Sequence, residues 1–432
     1  MAIRYRFAAL SAAFVLLFAA VPALAEEAEI EIEEIIIEPS EPAPEDAATP
    51  APPLQQTVQE VFTPSSGSPY TEDIASPYWT TPMDITDEEA VWNMLMQPIT
   101  VIDPGKKTTE KSQVSIYREP DEDSKIVGEV TCKSQGVRVI RHEENGWSLI
   151  ECYSSSFHTP ASETGAWNIL VSGYIKTAYL KEVQPSDKLA LVVDKLTQRL
   201  YVFRDGHLLT TLLVSTGLVQ HNGKKYQPYN ETRSGEFLLV SRIGDFSSDR
   251  LICAKAIRFN NGDCIHEVPH VLQKDGKTKN YRSTEPYLGQ KRSHGCIRVQ
   301  YHETPEGVNW RWIYSQVKSN NSRIKLVIWE DWQGRQLSEP SPDTVLYYNP
   351  KGGQYYHRLD HCNNGKGIVF TPFTYGELDD QPYSKLTCCP YCNPPERLSD
   401  IRAKNELYAP GGDHEELLNS LRADYYAYLE QE

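Results

Sequence analysis

The apolar positions of this chain fall in short β-prone runs cut by turn residues, a pattern that predicts strands far more often than helices. Across residues 95–184 the runs are 114–117, 125–130, 137–140 and 147–152, separated by Pro120-Asp121 and Asn145-Gly146. That spacing predicts a small β-barrel. A second block, residues 187–331, opens with LALVVD (189–194) and RLYVFR (199–204), turns at Asp205-Gly206 and runs through HLLTTLLVSTG to Gly217. GEFLLVSRI (235–243) predicts another strand, and IKLVIW (324–329) a closing one. LICAKAIRFNNGDCIHEV (251–268) predicts a hairpin about Asn261-Gly262, because an Asn-Gly pair accepts the positive φ angles of a tight turn. A helix is expected near 305–317. Residues 415–429 carry helical spacing, with Leu417, Leu418, Leu421, Tyr425 and Leu429 near one face. The expected fold class is mainly β and multidomain.

The two ends of the chain follow other patterns. Arg4 and Arg6 precede an apolar run over 8–21 and the small-x-small triplet Ala23-Leu24-Ala25. This predicts a secretory signal peptide over 1–25, since the run is short for a bilayer span of ~20 residues and Glu26-Glu27 follows it. Residues 26–80 are acidic, then Pro/Ala-rich, and read as a linker with too little apolar surface to offset its ordering entropy. No later segment is long and apolar enough to span a membrane. Export, to the extracellular space or cell wall, is therefore the expectation. Residues 397–432 read as a polar C-terminal tail.

Composition narrows the partners. A net charge of −16 argues against nucleic acid, whose binders carry basic patches. Nine cysteines in an exported chain is an odd count, so at least one has no partner within the chain. Cys132 and Cys152 lie on two expected strands and are candidates for a disulfide. Cys253 and Cys264 would not face each other across the hairpin turn and read as core.

The chemistry concentrates in KRSHGCIRVQ (291–300). A thiolate is the nucleophile, and a histidine within hydrogen-bond reach can take the thiol proton. Cys296 thus needs a histidine folded onto it. His266, at the end of the hairpin strand, suits that role, and His270 is the rival. His294, on a strand, would share a face with Cys296 and line the pocket. Backbone N–H groups at Gly295 and Cys296 can form an oxyanion hole, and Arg298 is suited to a carboxylate.

SHGCIR (293–298) matches the signature of the L,D-transpeptidase family, and CIHEVP (264–269) resembles its upstream histidine motif. LALVVDKLTQRLYVFRDGHLL resembles the family's opening strands, and STG (215–217) with TRSGEF (232–237) its middle. The resemblance implies a β-sandwich-like catalytic domain over 187–331, with Cys296 as nucleophile and His266 as base. It also implies that His294 and Gly295 shape the site, Arg298 binds substrate or holds the loop, and Ser293 positions that loop. Arg233 stands where the family has a proline, and the polar stretch 267–292 is longer than in compact members. That stretch is expected to be a mobile substrate loop.

VSIYREPDEDSKIVGEV, NGWSLIEC and SGYIKTAYL resemble a bacterial Src-homology-3-like domain over 95–184, which implies a wall- or peptide-binding accessory. Residues 153–168 depart from its compact form.

Residues 340–396 form a Cys/His-rich module. His357-x4-Cys362 and Cys389-x2-Cys392 suit a tetrahedral zinc, with Cys388 and His361 as alternative ligands and two disulfides as the competing reading. YYNPKGGQYYH resembles small zinc-ribbon-like modules of secreted bacterial proteins. Any such zinc is structural, and catalysis is expected to need no cofactor. The resemblance implies a cysteine acyltransferase that releases terminal D-alanine from peptidoglycan stem peptides and forms cross-links. The alternatives are an L,D-carboxypeptidase or endopeptidase with water as acceptor, and a non-catalytic wall-binding protein.

Overall fold

The computed structural model describes residues 78–80, 82–156, 164–219, 228–317, 323–331, 335–362 and 367–431. The expected signal peptide and all but the last residues of the linker lie outside them. Tyr78 and Trp79 mark where the linker reading overreaches, because Trp79 is buried in the folded core. Helix α1 (Glu88–Leu95) follows and was not expected. Asp87 caps it by accepting the Ala90 N–H, and Glu88 and Glu89 sit at its positive end. Val91, Met94 and Leu95 face inward and pack with Trp79 against Val192, Phe203, Val327 and Trp329.

The next seven strands are β1 (Ile99–Ile102), β2 (Gln113–Tyr117), β3 (Ile126–Thr131), β4 (Gly136–His142), β5 (Trp147–Ser155), β6 (Trp167–Lys176) and β7 (Leu180–Val183). They form one curled sheet in the order β3-β2-β6-β5-β4-β1-β7. Ile102 bridges to Cys132, which draws the two edges together. Cys132 and Cys152 are both buried in the sheet's core and both free, so the expected disulfide is absent.

The second block follows. Its strands are β8 (Leu189–Asp194), β9 (Arg199–Arg204), β10 (His207–Ser215), β11 (Gly235–Leu238), β12 (Ser241–Ser248), β13 (Leu251–Arg258), β14 (Cys264–Glu267), β15 (Val271–Leu272), β16 (Lys279–Asn280) and β17 (Ile297–Val299). After them come helix α2 (Trp310–Gln316) and β18 (Lys325–Trp329). Nine strands make one sheet, β11-β18-β8-β9-β10-β17-β14-β13-β12. The run read as one strand at 235–243 is two. β11 pairs with β18 at one edge, and β12 pairs with β13 at the other.

Side chains alternate across β8 and both faces are covered, which explains its unbroken apolar sequence. Leu189, Leu191 and Val193 enter the main core with Trp310 and Ile313 of α2. Ala190 and Val192 enter the core beneath α1. The stretch 267–292 is built rather than loose. β15 and β16 pair, a 3-10 turn spans Glu285–Tyr287, and Val268, Tyr281 and Leu288 form a small core with Leu213.

Strands β19 (Val345–Tyr348), β20 (Tyr355–His357), β21 (Thr371–Thr374) and β22 (Thr387–Cys388) make a separate sheet, ordered β21-β19-β20-β22. The expected polar tail is two helices, α3 (Leu398–Leu407) and α4 (Asp413–Glu430). Helix α4 returns to the N-terminal sheet. Tyr425 enters its core, the Tyr428 hydroxyl donates to the Ile126 carbonyl at 2.8 Å, and Arg422 donates to the Asn168 carbonyl at 3.2 Å. Among the described residues no helix is long and apolar enough to cross a membrane.

Candidate active site

Strand β17 lies between β10 and β14. Its pairing with β14 is parallel, with Ile265 opposite Ile297 and His266 opposite Arg298. This register brings a histidine and a cysteine far apart in the chain to one spot. Cys296, half-buried just before β17, lies beside the His266 ring, close enough for the two to set each other's charge state. The buried His266 directs Nδ1 at the Glu267 carbonyl, 2.7 Å away. With Nδ1–H donating there, Nε2 is the atom free to exchange a proton. Phe246 packs edge-on against the ring at 5.7 Å.

Two further cysteines complete the cluster. Cys264, two residues before His266 on β14, lies beside Cys296, and Cys253 lies beside His266, each close enough to act on its neighbour's charge state. The Cys264 thiol contact is the largest influence holding Cys296 well below the usual thiol range. Burial opposes it, and the His266 hydrogen bond and charge add to it. Burial alone would lower the His266 pKa, but hydrogen bonds and charge from Cys253 and Cys296 outweigh it and raise the value to about 10. Cys264 itself is pushed up, chiefly by its hydrogen bond to Cys296 and then by burial. The site therefore favours a thiolate beside an imidazolium. Sequence reasoning assigned Cys253 and Cys264 to the core and missed this. The available signal was the i, i+2 spacing of Cys264 and His266, which places both on one face of β14.

The cysteine loop is held by the STG and TRSGEF motifs. The Thr216 carbonyl accepts the Arg292 and Ser293 N–H groups at 2.8 and 2.9 Å. Thr232 accepts the Gly217 N–H at 2.8 Å and donates to the Gly295 carbonyl at 2.7 Å. Gly217 has no room for a side chain, since a Cβ there would sit 1.8 Å from the Asn230 carbonyl oxygen. Gly295 has φ +114°, and a Cβ would lie 2.5 Å from Asp263 Oδ1. Ser293 Oγ accepts the Gly295 N–H at 3.2 Å and donates to the Cys296 carbonyl. That positioning contact engages the Gly295 donor proposed for an oxyanion hole. His294 lies in the turn before β17 rather than on a strand. It is exposed, so the same-face argument does not apply to it. Arg298 is half-buried, and its guanidinium feels the charge of Cys296.

His270 is elsewhere. It is buried against Tyr281 at 5.2 Å, and the charges acting on it are those of Lys279, Glu267, Arg311 and Asp245. Glu267 carries its own network, accepting from the Tyr281 hydroxyl at 2.7 Å and from Arg311 at 2.9 Å.

Arg233, at the position where a proline is usual, is fully buried. It pairs with Asp263 at 3.2 Å, donates to the Asn260 side chain and to the Ser155 carbonyl at 3.2 Å each, and lies 3.8 Å from the Trp167 ring centre. It joins the N-terminal sheet to the hairpin loop beneath Gly295. Burial raises the Asp263 pKa to about 6, against the pull of Arg233.

Among the described residues, two groups of side chains have the spacing of metal ligands. Glu231, Glu330 and Asp331 are one, but Lys195 lies 3.2 Å from Glu231 and 2.5 Å from Glu330, and Lys291 pairs with Asp331. That group is an ion network anchoring the approach to the cysteine loop. The other is His357, Cys362, Cys389 and Cys392.

Residues 188–328 match the sequence model of the YkuD family, the L,D-transpeptidase catalytic domain. This part of the chain is an L,D-transpeptidase catalytic domain. No curated protein matches the chain. Among solved structures, an L,D-transpeptidase from Xylanimonas cellulosilytica is 15% identical, with 34% of this chain and 62% of that one covered at a TM-score of 0.22. One from Mycobacterium smegmatis is 14% identical, covering 44% and 81% at 0.24. One from Mycobacterium tuberculosis H37Rv is 15% identical, covering 45% and 94% at 0.24. This chain thus spans less than two thirds of the Xylanimonas chain. The domain assignment rests on the family match and not on these likenesses.

Proposed function

We propose that the protein is an exported peptidoglycan L,D-transpeptidase working through a Cys296 thioester. The observation that carries this reading is the contact between Cys296 and His266 inside a domain of that family. The Cys296 thiolate attacks the carbonyl carbon before the terminal D-alanine of a stem peptide. The C–N bond breaks, and D-alanine leaves with the proton held by His266. A side-chain amine of a second stem then attacks the thioester, gives its proton to His266 and releases the thiolate, forming the cross-link. Every proton and electron pair is returned, so the cycle needs no ATP and no cofactor. Arg298, half-buried on β17, supplies the positive charge that meets a substrate carboxylate in this reading. An N-terminal signal-like pattern supports action at the cell wall.

Intact-protein mass spectra after exposure to a tetrapeptide stem, or to a carbapenem, should show one adduct that Cys296→Ala abolishes. His266→Ala should slow acylation by roughly a hundredfold or more, as loss of general acid–base help does. An adduct surviving in Cys296→Ala would place the nucleophile elsewhere. Free tripeptide appearing in place of cross-linked product would make water the acceptor.

A further inference from the structure

The module at 340–396 has too little core to stand on packing alone. Its strands are two to four residues long, and its main cluster is Leu346, Tyr356, Phe373, Tyr375 and Leu378. Folds of this size commonly need a staple. We propose that the staple is one zinc ion held by His357, Cys362, Cys389 and Cys392.

The donor atoms of these four buried side chains all lie within 4.8 Å of one another. Cys362 Sγ is 3.6 Å from Cys389 Sγ, and Cys392 Sγ is 3.8 Å from His357 Nδ1. A tetrahedral zinc with bonds of about 2.3 Å to sulfur and about 2.0 Å to nitrogen separates two sulfurs by about 3.8 Å, and a sulfur from a nitrogen by about 3.6 Å. The observed spacing is that of an open tetrahedron. The donor set, three thiols and an imidazole, excludes the hard oxygen-seeking cations.

The surroundings suit thiolates. The Tyr391 N–H donates to Cys389 Sγ at 3.4 Å and the Arg358 N–H to Cys392 Sγ at 3.3 Å, which stabilises negative sulfur and orients it. The two alternative ligands are engaged elsewhere. The Cys388 sulfur lies 2.7 Å from the Tyr356 hydroxyl, and the exposed His361 bonds to Asp360. Four protein ligands leave no open position, so the site is structural. His357 ends β20, Cys362 follows it in the chain, and Cys389 and Cys392 follow β22, so the ion ties together two strands joined by only two register pairs, Tyr355 with Thr387 and Tyr356 with Cys388. Binding replaces three thiol protons with one Zn2+, leaving a site of net charge −1 and releasing three protons.

The full chain, purified without chelator, should carry about one equivalent of zinc. Cobalt in its place should give thiolate-to-metal charge-transfer absorption. Cys362, Cys389 and Cys392 should resist alkylation until a chelator is added, and the melting temperature should then fall. His357→Cys should keep the metal, whereas His357→Phe and Cys389→Ser should lose it. The proposal is overturned if the metal-free chain melts unchanged. It is equally overturned if these cysteines stay blocked after chelation and open only to a reductant, since they would then be disulfides. None of these readouts depends on transpeptidase activity, so this proposal and the proposed function fail separately.

Discussion

The site favours Cys296 and His266 as a thiolate–imidazolium pair, because the neighbouring Cys264 and Cys253 and the pair's own attraction favour the charged forms against desolvation. His266 is thus the acid for the leaving amine rather than a base waiting for the thiol. Both charged forms exist together above the depressed Cys296 pKa and below the raised His266 value of about 10. Acylation measured by stopped-flow should therefore be flat through neutral pH and decline above about pH 10 as His266 loses its proton. A rise centred near pH 6.5 would instead mean that the pair is neutral at rest. Cys264→Ala removes one hydrogen bond to a charged sulfur, worth about 1.5–3 kcal/mol, and should raise the Cys296 pKa by about one to two units. The pH dependence of its alkylation rate reads that shift directly, and Cys264→Ser should largely restore the original profile.

At the scale of elements, the insertion expected to be a mobile loop and the expected polar tail are both built into the fold. The insertion 267–292 is anchored by Tyr281, which stacks on Tyr301 at 3.8 Å and bonds to Glu267. Tyr301 continues into His302, and His302 into Tyr391 of the C-terminal module at 4.3 Å. The polarity of the insertion hid this, since its few aromatic and apolar residues do the anchoring. Helix α4 was legible in its spacing, but not its seat. Leu418 and Tyr425 are buried, and Tyr425 enters the core of the N-terminal sheet. Tyr425→Ala should destabilise the protein by about 3 kcal/mol, in the range of large-to-small core changes. Denaturant titration with a fluorescence readout would show it, and an unchanged midpoint would mean that α4 contributes no core packing.

At the scale of the molecule, the N-terminal sheet is a structural partner of the catalytic domain. Gln135 bridges to Phe237, the Leu238 N–H donates to the Ser134 carbonyl at 2.7 Å, and Arg233 spans the contact. Removing one member of a buried ion pair costs about 3–5 kcal/mol, because the other charge is left uncompensated. Arg233→Ala should therefore lower the melting temperature of the whole described body and slow acylation, since Asp263 underlies Gly295. A variant that melts normally and acylates at the parent rate would remove Arg233 from any coupling role.

Local pattern alone determined the strand-rich character and singled out the Cys296 motif and the C-terminal Cys/His-rich module. Those features depend on neighbours in sequence: alternation along a strand, a turn-forming pair, or a motif compact enough to carry its own chemistry. The tertiary structure decided which histidine meets Cys296, that Cys253 and Cys264 surround the pair, and that Arg233 is a buried staple. These depend on the parallel pairing of β14 with β17 and on the docking of one sheet against another. Strand order is set by the burial summed over all elements, which no single stretch of the sequence contains.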